Sequence, residues 1–244
     1  MKPKHARFYL IITILSLFMV LLGFGKSFFL RPFFEQPSFL KDLPTSVYIH
    51  GTLMTIWYIM LVAQSALVNV KKVKLHMTLG WGLVAVACLL IISGLIVNAG
   101  AFPRFIAVGF LDVASEGMML MAASFWTYDQ TVFVPFGLMI ATAIFKRKNI
   151  IIHRSMMLGA SMLMLNPAII RMAGWMFPGF VLPAGTLIYL LFPISLIVHD
   201  WVRYKKFPLY PFIAFVAIIV ITFLMIWLPS TDYGMDLFKR TINV

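Results

Sequence analysis

The sequence predicts an all-α membrane protein, a polytopic bundle of seven transmembrane helices in one domain, and three observations predict it. Apolar residues make up 62% of the chain and charged ones 11%, against roughly a half and a quarter in soluble domains. The apolar residues fall into runs of about twenty, the length that crosses a hydrocarbon core as a helix. The ten-residue alternation of a barrel strand is absent, so helices are the spanning structure.

Taken in order, the first 30 residues join a basic start to an apolar run with no small-x-small cleavage site. They read as a retained first helix, not a cleaved signal. Span two covers 46–70 and span three 76–98, joined by the basic turn 71–74. Spans four to seven cover 126–145, 151–172, 183–199 and 208–228. Segment 104–125 is apolar enough to cross but carries Asp112 and Glu116 four residues apart. If it crossed, there would be eight spans and the Lys146, Arg147, Lys148 cluster would move to the other side. With seven spans and the N-terminus inside, thirteen bases share the inner side with one acid, Asp200, and the whole net charge of +12 lies there. Basic residues in short loops are retained on the cytoplasmic side, so this asymmetry favours seven spans, with the C-terminus outside. Segment 104–125 is then expected as an outer-face helix, interfacial or re-entrant. The chain is accordingly placed in a bacterial inner membrane, with the lipid bilayer as its partner and no nucleic acid, despite its basic balance.

Stretch 146–171 organises the chain. On a straight helix the eighteen-residue step from His153 to Arg171 returns to the same face about 27 Å further on, although Pro167 can bend it. A short echo links LHMTLGWG (75–82) and IHRSMMLGA (152–160), each with a histidine at a helix start and glycine a few residues on.

Several residues are able to carry chemistry. His50, Trp57 and Gln64 recur every seven residues along span two and share one stripe about 21 Å long. Polar groups on a membrane helix face the bundle, where they line a ligand or proton path or bond to another helix. Asp129 and Arg171 lie near the outer ends of spans four and five, at the depth of His50, and are expected to pair. Such a triad binds an anion, orients a metal ligand or neutralises itself. On the inner side His76 and His153 open spans three and five, and His199 ends span six. Three imidazoles at one depth make a metal site, two on facing helices make axial haem ligands, and all three beside Lys or Arg also suit headgroup phosphates. The methionines of span five circle the helix and read as packing, and most tryptophans sit at span ends as interface anchors. Cys88 is the single cysteine, so no intrachain disulfide or thiolate cluster forms. Phosphate-binding glycine loops, serine elbows and paired catalytic carboxylates are absent, and no catalytic residue is assigned.

At HRSMMLGASMLMLNPAIIR (153–171) and IHGTLMTIWYIMLVAQSALVNVKKVKLHMTLGW (49–81) the chain resembles an uncharacterised family of bacterial multi-pass membrane proteins. Helices of that family begin with His-Arg or His-Lys followed by Leu-Gly or Leu-Met, with a His-Gly…Trp…Gln helix upstream. A more distant similarity runs to two-haem b-type cytochromes and oxidase-assembly proteins. It implies a haem or metal role for His50, His76 and His153, although His50 stands alone on the outer side where the two-haem pattern needs a pair. The leading expectation is a haem- or metal-binding protein of the redox or oxidase-associated kind, with His50, His76, His153 and His199 as cofactor ligands. The alternatives are a small-solute or proton transporter using His50, Asp129 and Arg171, and a structural subunit whose partners are a membrane complex or further copies of the chain.

Overall fold

The computed structural model describes residues 3–243, and among them the side chains of all but residues 3–6, 38 and 39. Lys2 and the side chain of Lys4, counted in the inner charge cluster, lie outside these. The helices are α1 (Pro3–Gly23), the single turn α2 (Ser38–Lys41), α3 (Thr45–Asn69), α4 (Val73–Ala107), α5 (Glu116–Thr131), α6 (Phe133–Phe145), α7 (Ile150–Leu163), α8 (Asn166–Met176), α9 (Val181–Tyr204), α10 (Leu209–Trp227) and α11 (Asp232–Ile242). No strand occurs among the described residues. Five units are long and apolar enough to cross a membrane: α3, α4, the nearly continuous α5–α6, α9 and α10. The pair α7–α8, bent by 48° at a short break, makes a sixth if it is one span, and the apolar stretch Arg7–Gly23 of α1 is shorter. Apolar side chains such as Leu138, Leu187 and Phe223 are exposed on the outside of these helices. Water does not favour that surface, and lipid does.

The α7–α8 span forms the centre of the bundle, and residues 158–165 are buried throughout. Its bend follows from Pro167, whose missing N–H removes the intrahelical partner of the Leu163 carbonyl. The Leu165 N–H turns to the Met162 carbonyl at 3.1 Å, which frees the Ser161 carbonyl as well. Neighbouring helices supply the missing donors. Tyr58 of α3 donates to the Ser161 carbonyl at 2.7 Å, and Tyr128 of α5 and Tyr189 of α9 reach the Leu163 carbonyl at 2.6 and 3.4 Å. Irregular backbone at membrane depth is tolerable when other helices satisfy it in this way. The straight-helix alignment of His153 with Arg171 is lost at this bend. Elsewhere the span packs by small residues: a Cβ on Gly159 would stand 2.5 Å from the Ala214 Cβ of α10.

Segment 104–125 differs from expectation. It forms no helix of its own: Arg104 to Ala107 finish α4, a turn follows, and α5 begins at Glu116. The turn is built by Gly109 at φ +69° and by Asp112, whose carboxylate accepts the Ala114 N–H at 2.9 Å. Ser115 then caps α5 through the Met118 N–H at 3.4 Å. Asp112 and Glu116 are therefore turn and first-turn residues, where carboxylates suit free N–H groups. An amphipathic helix does lie at this end, but it is α11. Its Phe238 and Ile242 are buried in a cluster with Phe102 of α4 and Met119 and Trp126 of α5.

At the opposite end the start of α1 meets the α3–α4 and α6–α7 turns and the end of α9. Contacts from Tyr9 and Arg154 to Asp200, and from Arg147 to Trp81, tie these parts together. Lys71, Lys72, Lys74, Lys146, Arg147 and Lys148 lie in or beside these turns, and this is the cationic end.

Candidate functional site

At the cationic end α4 and α7 each present a histidine from their first turns. Lys71, at φ 60°, closes the turn that starts α4 and so brings His76 to that end. Asn149 caps α7, its Oδ1 accepting the Ile151 and Ile152 N–H groups at 3.1 and 3.3 Å, and His153 follows within one turn. The two imidazoles stand with ring centres 6.2 Å apart and planes at 86°. His153 Nδ1 lies 2.9 Å from the Ala143 carbonyl, one of the last carbonyls of α6 and without a helical partner. A carbonyl only accepts, so Nδ1 carries the proton and Nε2 of the neutral ring keeps its lone pair. His76 Nδ1 is buried with no partner.

Gln64 joins this pair from α3. Its backbone carbonyl lies against the His76 ring, and a Cβ on Gly80, one turn beyond His76, would come 4.0 Å from its Nε2. The side chain is only 6% exposed, yet neither its Nε2 nor its Oε1 has a hydrogen-bond partner. Buried amides in finished interiors are bonded. Two unpaired polar side chains beside a histidine pair are what a site for a further group looks like.

His199 does not share this site. No three metal-ligating side chains of the His, Cys, Asp and Glu types converge among the described residues. The expected trio of His76, His153 and His199 divides because His153 and Arg154 are consecutive on α7, and consecutive helical residues point about 100° apart. Arg154 faces α1 and α9. Its Nη2 donates to Asp200 Oδ2 at 2.8 Å, and its guanidinium lies 3.8 Å above the Tyr9 ring. Tyr9 donates to Asp200 Oδ1 at 2.5 Å, and His199 Nδ1 stands 3.0 Å from the same oxygen. Phe8 stacks on the His199 ring at 3.8 Å. Asp200, 1% exposed, thus anchors three helices. Sequence reasoning missed Tyr9 and Arg154 here. The signal that bore on them was the lone acid among the inner bases, since a buried carboxylate needs a cation.

The remaining expected residues do not gather into one site. His50 Nδ1 bonds to Ser93 Oγ at 2.9 Å, and Ser93 donates onward to the Leu90 carbonyl at 3.2 Å, a cross-link between α3 and α4. Trp57 is fully buried, its Nε1 donating to Ser161 Oγ at 3.2 Å. The heptad stripe His50, Trp57, Gln64 therefore meets α4, the central span and the histidine pair in turn. Asp129 and Arg171 attract one another electrostatically but form no ion pair within 4.0 Å. Arg171 is exposed, with its guanidinium 4.9 Å from the Phe24 ring.

The chain matches no protein-family model, no curated protein and no solved structure. The resemblance to a bacterial membrane family therefore rests on its two short segments alone.

Proposed function

We propose that His76 and His153 are the ligands of a haem or transition-metal ion in a membrane protein of the redox or oxidase-associated kind. The observation that carries this reading is the spacing of the two rings. Two metal–nitrogen bonds of about 2.0 Å, added to the ring radii, separate imidazole centres by roughly 6 Å, and theirs are 6.2 Å apart. The Ala143 carbonyl supports it, because a ligating histidine commonly donates its second N–H to such a group, which fixes the tautomer. The unpaired His76 Nδ1 and Gln64 amide fit a group that completes them. Imidazole suits iron, copper and zinc alike. The chain's own part is to hold the two rings at a set separation and keep His153 in one tautomer.

The same reading takes the chain as seven spans in a bacterial inner membrane: α1, α3, α4, α5–α6, α7–α8, α9 and α10. The cationic end faces the cytoplasm, and α11 lies on the outer face. The grouping of the basic turns supports it, because short basic loops stay inside. A reporter fused after Lys148 is then cytoplasmic and one after residue 244 periplasmic.

Absorbance spectra and elemental analysis of the purified protein test the ligand reading. A Soret band or stoichiometric metal is expected, and His76→Ala or His153→Ala should abolish most of it. A colourless, metal-free protein refutes it. That result leaves a structural subunit as the favoured role, since His50, Trp57 and Asp200 already serve as cross-links between helices.

A further inference from the structure

We infer that the group held by His76 and His153 is an anionic, apolar metal macrocycle, a metalloporphyrin with free carboxylate arms, and not a bare metal ion. This rests on the ligand reading above and narrows it. The argument is electrostatic. His76 follows Lys72 and Lys74 within one turn, and His153 follows Lys146, Arg147 and Lys148 across the Asn149 cap. Arg147 places its guanidinium 5.8 Å from the Trp81 ring of α4, so the two basic turns frame one mouth. None of these cations takes part in an ion pair among the described residues, and the only acid in an ion pair there, Asp200, is held by Arg154 and His199.

A bare divalent ion meets a histidine pair with no carboxylate and a rim of like charge. Metal sites for free ions bring anionic or additional ligands, and no third ligating side chain converges here. A metal inside a dianionic ring arrives already neutralised and needs only two axial imidazoles. Carboxylate arms on that ring meet the lysines and arginine, which bind such groups well. The mouth is also apolar: Phe145, Ile150 and Met77 are 85%, 69% and 59% exposed beside the cations. Apolar surface flanked by positive charge suits a flat hydrophobic ring with anionic edges.

Titration of the detergent-solubilised apoprotein with hemin, with hemin dimethyl ester and with Zn²⁺ alone tests this by absorbance and calorimetry. Hemin should bind with a bis-imidazole spectrum that His76→Ala and His153→Ala remove. The uncharged ester should bind about tenfold more weakly, a loss that shrinks at high salt. The triple variant Lys146→Gln, Arg147→Gln, Lys148→Gln should weaken hemin to the level of the ester and leave the ester unchanged, the ester also reporting that the variant is folded. Equal affinity for hemin and ester would overturn the anionic-arm inference while the histidine ligation stands. Stoichiometric Zn²⁺ with no hemin binding would overturn the macrocycle but keep a metal site. Binding of neither ligand would overturn both.

Discussion

The carbonyl of Leu163 offers a sharp test of how the central span is held. Pro167 cannot donate to it, and the hydroxyls of Tyr128 at 2.6 Å and Tyr189 at 3.4 Å take that place. Tyr128→Phe alone removes the shorter bond and should cost about 0.5–1.5 kcal/mol, the net worth of one hydrogen bond, since Tyr189 remains within reach. Removing both hydroxyls leaves a buried acceptor unpaired, and the expected cost rises to about 1–3 kcal/mol. Loss of the ring hydroxyls disturbs little else, because phenylalanine keeps the shape. If the argument is right, Pro167→Ala changes the outcome. An N–H returns at residue 167, the Leu163 carbonyl regains a helical donor, and the same two Tyr→Phe changes should cost at least about 1 kcal/mol less in that background. Equilibrium unfolding in mixed micelles measures the cycle directly. For a chain of this size each kcal/mol moves a melting temperature by about 2–4 °C, so a thermal scan in detergent gives a second reading. Identical Tyr→Phe costs with and without Pro167, to within about 0.5 kcal/mol, would show that the tyrosines do not compensate for the proline.

Three further outcomes follow from other contacts. Arg154→Met strands the Asp200 carboxylate in the interior and should cost about 3–5 kcal/mol, and Asp200→Asn added to it should recover part of that; unfolding midpoints of the single and double variants check it. Gly159→Ala forces a Cβ against Ala214 and should cost about 1–3 kcal/mol, with Ala214→Gly restoring the fit, so a thermal scan that shows no rescue would contradict the α7–α10 packing. For Asp129 and Arg171, which lie beyond ion-pair distance and with Arg171 exposed, the coupling in a double-variant cycle should stay below about 1 kcal/mol.

The sequence by itself determined the class of fold and the material of its helices. Runs of about twenty apolar residues can cross a membrane only as helices, and this needs no knowledge of neighbours. It also located the histidines at helix starts, because cap and turn residues such as Asn149 and Lys71 mark where helices begin. The sequence-level error at 104–125 has a local cause. Asp112 and Ser115 were read as part of an apolar helix, when their side chains bond the backbone and break it. The omission of α11 has the converse cause: it is too polar to be seen as a span, and its apolar face is defined by the groove it fills. Only the tertiary structure decided which residues share a site. His76 and His153 meet because the α3–α4 and α6–α7 turns lie side by side, whereas His199 is drawn to Asp200 by the direction of α9. Arg154 and Asp200 find one another 46 positions apart. Such choices depend on the rotation of each helix about its axis, which apolar residues on every side do not specify in the sequence. Packing of small residues and pairing of buried polar groups specify it in the folded chain.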